Sequence, residues 1–159
     1  MNPNKAIALE KANMTKTYLL YDSELTKESG ELVILGYFTL AIKNFVFGET
    51  LSNGKRKKLL GMSSVDTEGV PGYLIGQLAK NSELADRVTE SINLHILMQE
   101  VFEKIESVQK IIGGRFAFLD CKKTNLKVHE LYVKEGFADY QDIVGHDGVE
   151  YTQMVRLIK

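Results

Sequence analysis

The stretch Asn125-Leu126-Lys127-Val128-His129-Glu130-Leu131-Tyr132-Val133-Lys134-Glu135-Gly136-Phe137 concentrates what this chain offers a reaction. It sets an asparagine, then a tyrosine seven positions on, then a Gly-Phe pair that begins four positions later. The amide oxygen of Asn125 can accept a bond from a free backbone N–H at the start of a helix. Val128, Leu131 and Tyr132 fall at i, i+3 and i+4, which puts them on one helical face. Gly136 suits the left-handed residue that ends a helix, and Phe137 opens the next strand with an apolar anchor. The spacing therefore predicts a capped helix over about residues 125–135 with Tyr132 on its apolar face.

The remaining reactive side chains point less far. Only three histidines occur, His95, His129 and His146, and none has metal-ligand spacing with another, so no metal site is expected. No motif supports a Ser-His-Asp hydrolase. His129 lies on the motif helix without a partner the sequence can name, His95 reads as a polar-face residue of a long helix, and His146 sits in a Gly-flanked turn. The single cysteine, Cys121, rules out an intramolecular disulfide and reads as a small buried residue at a strand end. Lys55-Arg56-Lys57-Lys58 is the one dense basic cluster. It could meet RNA phosphates, but a solvated helix face is the plainer reading. Tyr18, Tyr21, Tyr37 and Phe38 read as core and edge residues of a strand pair rather than as a base-stacking platform.

A chain of 159 residues suits a single domain, 1–159, with a sizeable core. The net charge of −1 gives no global attraction to nucleic acid or an anionic membrane. No apolar run reaches the length of a membrane span, and the opening residues lack the apolar core of a signal peptide. A cytoplasmic setting is the default. Along the chain, we expect a helix over about 4–13, a strand over 17–22, a charged turn over 23–30 and a long strand over 32–42 that pairs antiparallel with the first. A short basic helix over 52–60 and a polar loop over 63–72 follow. A strand over 73–80, a long helix over 91–111 and a strand over 115–120 form a βαβ unit, which implies a parallel pair with a right-handed crossover. Gly113-Gly114 ends the long helix. After the motif helix come strands over 137–143 and 150–158, joined by a turn at 145–148. The class is α+β: a mixed, mostly antiparallel twisted sheet with helices on both faces and one central βαβ unit.

The motif matches the pattern Asn-x-x-Ala-x-x-Leu/Phe-Tyr-x-x-x-Gly-Phe, and with the element order it resembles the GNAT superfamily of N-acetyltransferases over nearly the whole chain. Residues 73–79 and 111–121 look most like the compact bacterial subgroup that includes toxins acetylating aminoacyl-tRNA. The resemblance implies acetyl-CoA as cofactor and transfer of its acetyl group to a primary amine by direct attack. In this fold the third strand splays from its neighbour, and its free backbone groups pair with the pantetheine arm; here these would be Leu78, Ala79 and Lys80. Asn125 would lie beside the same arm. Tyr132 matches the general acid, since a phenol with pKa near ~10 can protonate a thiolate of comparable basicity. No motif names a base, and an ordered water would take that part. The family's phosphate loop, counted back from Gly113, falls on Thr89, Ile92 and Leu94, none of which fits, and no glycine lies between Gly76 and Gly113. That departure supplies the alternative: a non-catalytic interaction protein on the same fold. The family's usual opening strand and further helix have no counterpart before residue 4. Either the start is truncated or another chain or segment fills the sheet edge they would cover, and an exposed edge favours a homodimer or aggregation. The expected partners are thus acetyl-CoA, an amine acceptor with tRNA through Lys55, Arg56, Lys57 and Lys58 as one candidate, and no membrane.

Overall fold

The computed structural model describes residues 8–61, 66–81 and 93–159. A helical turn at residues 8–11 precedes β1 (Lys16–Tyr21), α1 (Ser23–Ser29), β2 (Ile34–Val46), α2 (Asn53–Leu60) and β3 (Gly69–Lys80). Then come α3 (Leu94–Ile112), β4 (Phe116–Lys122), α4 (Leu126–Lys134), β5 (Ala138–Val144) and β6 (Glu150–Leu157). The remainder of the helix expected over 4–13, residues 4–7, lies outside the described residues, as does the start of the helix expected from 91. The strands form a six-stranded sheet of order β1-β2-β3-β4-β6-β5. β1 runs antiparallel to β2, and β6 runs antiparallel to both β4 and β5. β3 and β4 are parallel through Tyr73↔Ala117 and Leu74↔Phe118, so the βαβ unit forms as expected.

Two expectations are corrected. Residues 23–29 form α1, not a turn. The Asp22 carboxylate accepts from the N–H groups of Glu24 and Leu25, each at 2.9 Å, and Gly30, at φ 74, closes the last turn on Thr26 O. Strong caps at both ends let so short and polar a segment hold a helix. β3 begins at Gly69, inside the stretch expected as loop. A Cβ at Gly69 would stand 2.6 Å from Phe45 O, so only glycine lets β3 approach β2 there. The pair is closed by Phe47 N–H to Glu68 O (2.7 Å) at one end and Asn81 N–H to Leu35 O (2.7 Å) at the other, which makes it antiparallel.

The chain divides into two compact units, Met1–Ala41 with Ile75–Lys104 and Ile42–Leu74 with Ile105–Lys159. In the first, Tyr18 stacks on Phe38 at 4.9 Å, and Phe38, Ile75, Leu97, Met98 and Val101 are buried. In the second, Phe45, Phe47, Leu51, Leu59, Phe116, Phe118 and Val155 form one core cluster. Phe45 meets Phe116, Phe118 and Tyr140 edge-on at 5.8, 5.2 and 6.4 Å, the arrangement that ring quadrupoles favour. Because side chains alternate along a strand, Ala117, Leu119 and Cys121 leave β4 on the opposite face, where α4 lies, while Leu59 brings α2 to the aromatic face. This unit therefore carries a helix on each face of its strands.

Candidate active site

α4 is built as its sequence demands. Asn125 is the N-cap, its Oδ1 accepting from Val128 N–H at 3.3 Å. At the other end Glu135 N–H reaches Leu131 O and Tyr132 O, Gly136 takes φ 87, and Phe137 N–H returns to Tyr132 O at 3.1 Å. The buried face differs from the expected one in a single position. Val128, His129 and Tyr132 are half-buried, while Leu131 is 38% exposed. The buried face is thus turned toward His129 and away from Leu131, and His129 has a partner there: its Nε2 lies 2.7 Å from Asp139 Oδ1 on β5. The sequence left His129 without one, since the pair forms only once β5 folds back beside α4.

Tyr132 packs against Phe137, ring centroids 6.0 Å apart. Burial pushes its phenol above the usual value of 10.0, and the neighbouring Cys121 thiol adds to the shift. Cys121 is buried, as expected, and burial together with Asp139 raises its own pKa. The surroundings thus disfavour the charged form of Tyr132. Arg156 Nη1 donates to Glu135 O at 2.9 Å and ties the end of α4 to β6.

Asn125 caps the start of α4 and Tyr132 lies near its end, both in the second unit. Leu78, Ala79 and Lys80 form the last residues of β3 in the first unit, Leu78 and Ala79 half-buried and Lys80 exposed. Within the second unit β3 pairs with β4 through Tyr73↔Ala117 and Leu74↔Phe118, and the strand itself runs to Lys80. On its β2 side Ala79 O lies where a Cβ at Gly36 would be 2.8 Å away, so glycine permits the close approach. Thr89 and Ile92 of the expected phosphate loop lie outside the described residues, and Leu94 opens α3.

The basic cluster divides. Lys55 Nζ donates to Asp139 O (2.8 Å) and Tyr140 O (3.1 Å) and lies over the Tyr140 ring. Arg56 donates to Leu51 O and Gly48 O and lies over Phe47. Lys57 and Lys58 are the exposed pair. The two inner cations therefore fasten α2 to its own unit, a use that the run of charges did not signal. His146 is exposed, as expected. Among the described residues, no group of His, Cys, Asp or Glu could hold a metal ion, and no helix is long and apolar enough to cross a membrane.

No family model and no curated relative matches the sequence. Solved structures do. The chain is similar to the toxin AtaT complexed with acetyl-methionyl-tRNAfMet, with TM-score 0.60 and 20% identity, covering 92% of this chain and 74% of that one. AtaT bound to the C-terminus of the antitoxin AtaR and acetyl-CoA gives TM-score 0.59 and 16% identity over 95% of this chain and 72% of that one. Arabidopsis thaliana NAA60 with a bisubstrate analogue gives TM-score 0.55 and 13% identity over 92% and 77%. The fold is that of the GNAT N-acetyltransferases, as the motif helix and the element order implied.

Proposed function

We propose that this protein transfers an acetyl group from acetyl-CoA to a primary amine within a ternary complex. The observation that carries this reading is Tyr132: a half-buried phenol, held protonated by its surroundings, on a helix capped as the GNAT pattern requires. The fold supports it, since similar structures hold acetyl-CoA. The amine nitrogen attacks the thioester carbonyl, the C–S bond breaks, and the CoA thiolate leaves. Tyr132 donates its phenolic proton to that sulfur and regains one from solvent, while the acetylated nitrogen loses its proton to water. By the family resemblance, the backbone of Leu78–Lys80 at the end of β3 would take the pantetheine arm as an added strand. Asn125 lies beside the arm.

Charged tRNA belongs among the acceptors, because AtaT is similar in fold and is seen with acetyl-methionyl-tRNAfMet. Any phosphate contact from the basic helix falls to Lys57 and Lys58, given the bonds of Lys55 and Arg56. The test is calorimetric titration of the full chain with acetyl-CoA, with desulfo-CoA and adenosine diphosphate as controls, followed by a screen of small amines, peptide N-termini and charged tRNA. Micromolar binding with turnover of one class supports the reading. No binding up to millimolar concentration removes it and favours the interaction-protein alternative.

A further inference from the structure

We propose that His129 and Asp139 form a positioning clasp that fixes the angle at which α4 presents the Tyr132 hydroxyl, so that the pair affects the reaction through Tyr132. This rests on the reading of Tyr132 as the acid. His129 stands three positions before Tyr132 on the same half-buried face, and its Nε2 is bonded to Asp139 Oδ1 at 2.7 Å. Arg156 holds the far end of α4 through Glu135 O. Tyr132 lies between these two ties, so neither end of the turn that carries it can rotate without breaking one.

The other half of the clasp is itself fixed. Asp139 stands where the β5–β6 register shifts, between Asp139 and Gln141. Bulges of this kind hold side chains in directions a regular strand would not. Lys55 Nζ binds the carbonyls of Asp139 and Tyr140. Gln141 extends to Val46 O and Gly48 N–H, at 2.7 and 2.8 Å. The backbone that carries the carboxylate His129 grips is therefore anchored at Asp139 and over the two residues that follow it. The side chains are 29% and 55% exposed, and ion pairs this open contribute little to stability. What the clasp supplies is orientation, which a reaction needing near-attack geometry rewards steeply.

The test is a double-mutant cycle with His129→Ala and Tyr132→Phe, with Asp139→Asn as the conservative variant, since its amide oxygen still accepts from the imidazole. On the best acceptor amine, His129→Ala should lower kcat by about tenfold and leave KM for acetyl-CoA unchanged. Asp139→Asn should stay within about twofold of wild type. In the Tyr132→Phe background, His129→Ala should cost nothing further. An equal loss in both backgrounds, or a loss confined to KM, overturns the clasp. A second readout needs no turnover: the resonances of Tyr132 in protein carrying 13C-labelled tyrosine. If no amine is acetylated, the functional reading fails, and the clasp stands or falls on this spectrum. A displaced or doubled Tyr132 signal in His129→Ala supports it, and an unchanged signal overturns it.

Discussion

Tyr132, the proposed acid, sits among neighbours that suit a phenol to that task. A phenol is a poor acid at neutral pH, but it keeps its proton and can hand it to a basic leaving group. Burial and the Cys121 thiol raise its pKa above 10.0, so the protonated form persists to higher pH than in a free tyrosine. As the proposed acid it must be protonated to act, so its contribution to kcat should persist to higher pH than a free tyrosine's would and decline on the alkaline side. Tyr132→Phe should lower kcat by about 100-fold or more, abolish that alkaline decline and leave acetyl-CoA affinity unchanged by calorimetry. Unchanged turnover would remove Tyr132 from the mechanism. Asn125, Tyr132 and Gly136 were legible in sequence because capping and helical periodicity act within a dozen residues. Asp139 was not, since nothing local ties a strand carboxylate to a histidine on the preceding helix.

Elements form here where their ends are secured. α1 is polar and short, yet Asp22 and Gly30 cap it, and a reading led by apolar periodicity passed over it. The turn after α3 depends on two glycines of unequal demand. Gly113 has φ 75 with open space where a Cβ would go, whereas Gly114 has φ 124 and a Cβ there would stand 2.4 Å from Tyr73 Cε2. Tyr73 also donates its hydroxyl proton to Gly113 O, so the ring cannot easily give way. Gly113→Ala should cost about 1 kcal/mol for the left-handed backbone, and Gly114→Ala about 2–4 kcal/mol from strain and overpacking together. Denaturant midpoints should rank them in that order; equal costs would show that the Tyr73 contact is soft. The β5–β6 hairpin carries a pH signature. Asp142 is held below the usual carboxylate range by Lys123 and then by the Thr152 hydroxyl, and Asp147 by the Tyr151 hydroxyl and the Val149 N–H. Their folded pKa values lie below the unfolded ones, so their stabilisation is present above pH ~4 and fades as pH falls through and below that value. A melting-temperature profile should fall on the acid side, and Asp142→Asn with Asp147→Asn should flatten the fall.

Across the whole molecule, the aromatic cluster around Phe45 is what the second unit can least spare. Phe45 is 1% exposed and meets four other rings edge-on, those of Phe47, Phe116, Phe118 and Tyr140. Phe45→Ala should cost about 3–5 kcal/mol, a large share of the ~5–15 kcal/mol that a domain commonly has. Urea unfolding measures it, and a loss below ~1 kcal/mol would mean that the cluster closes over the gap. The sequence by itself determined the α+β class, the order of most elements, the βαβ unit and the capped helix bearing Tyr132. Each of these follows from periodicity, capping and chain order, which act over short stretches. Only the tertiary structure decided that β3 begins at Gly69, that Lys55 and Arg56 bind carbonyls instead of facing solvent, and that the half-buried face of α4 includes His129, against Asp139, and not Leu131. Those outcomes depend on which backbone groups distant segments bring within hydrogen-bond reach. A run of charges or an alternating pattern reads the same whether or not such a partner arrives.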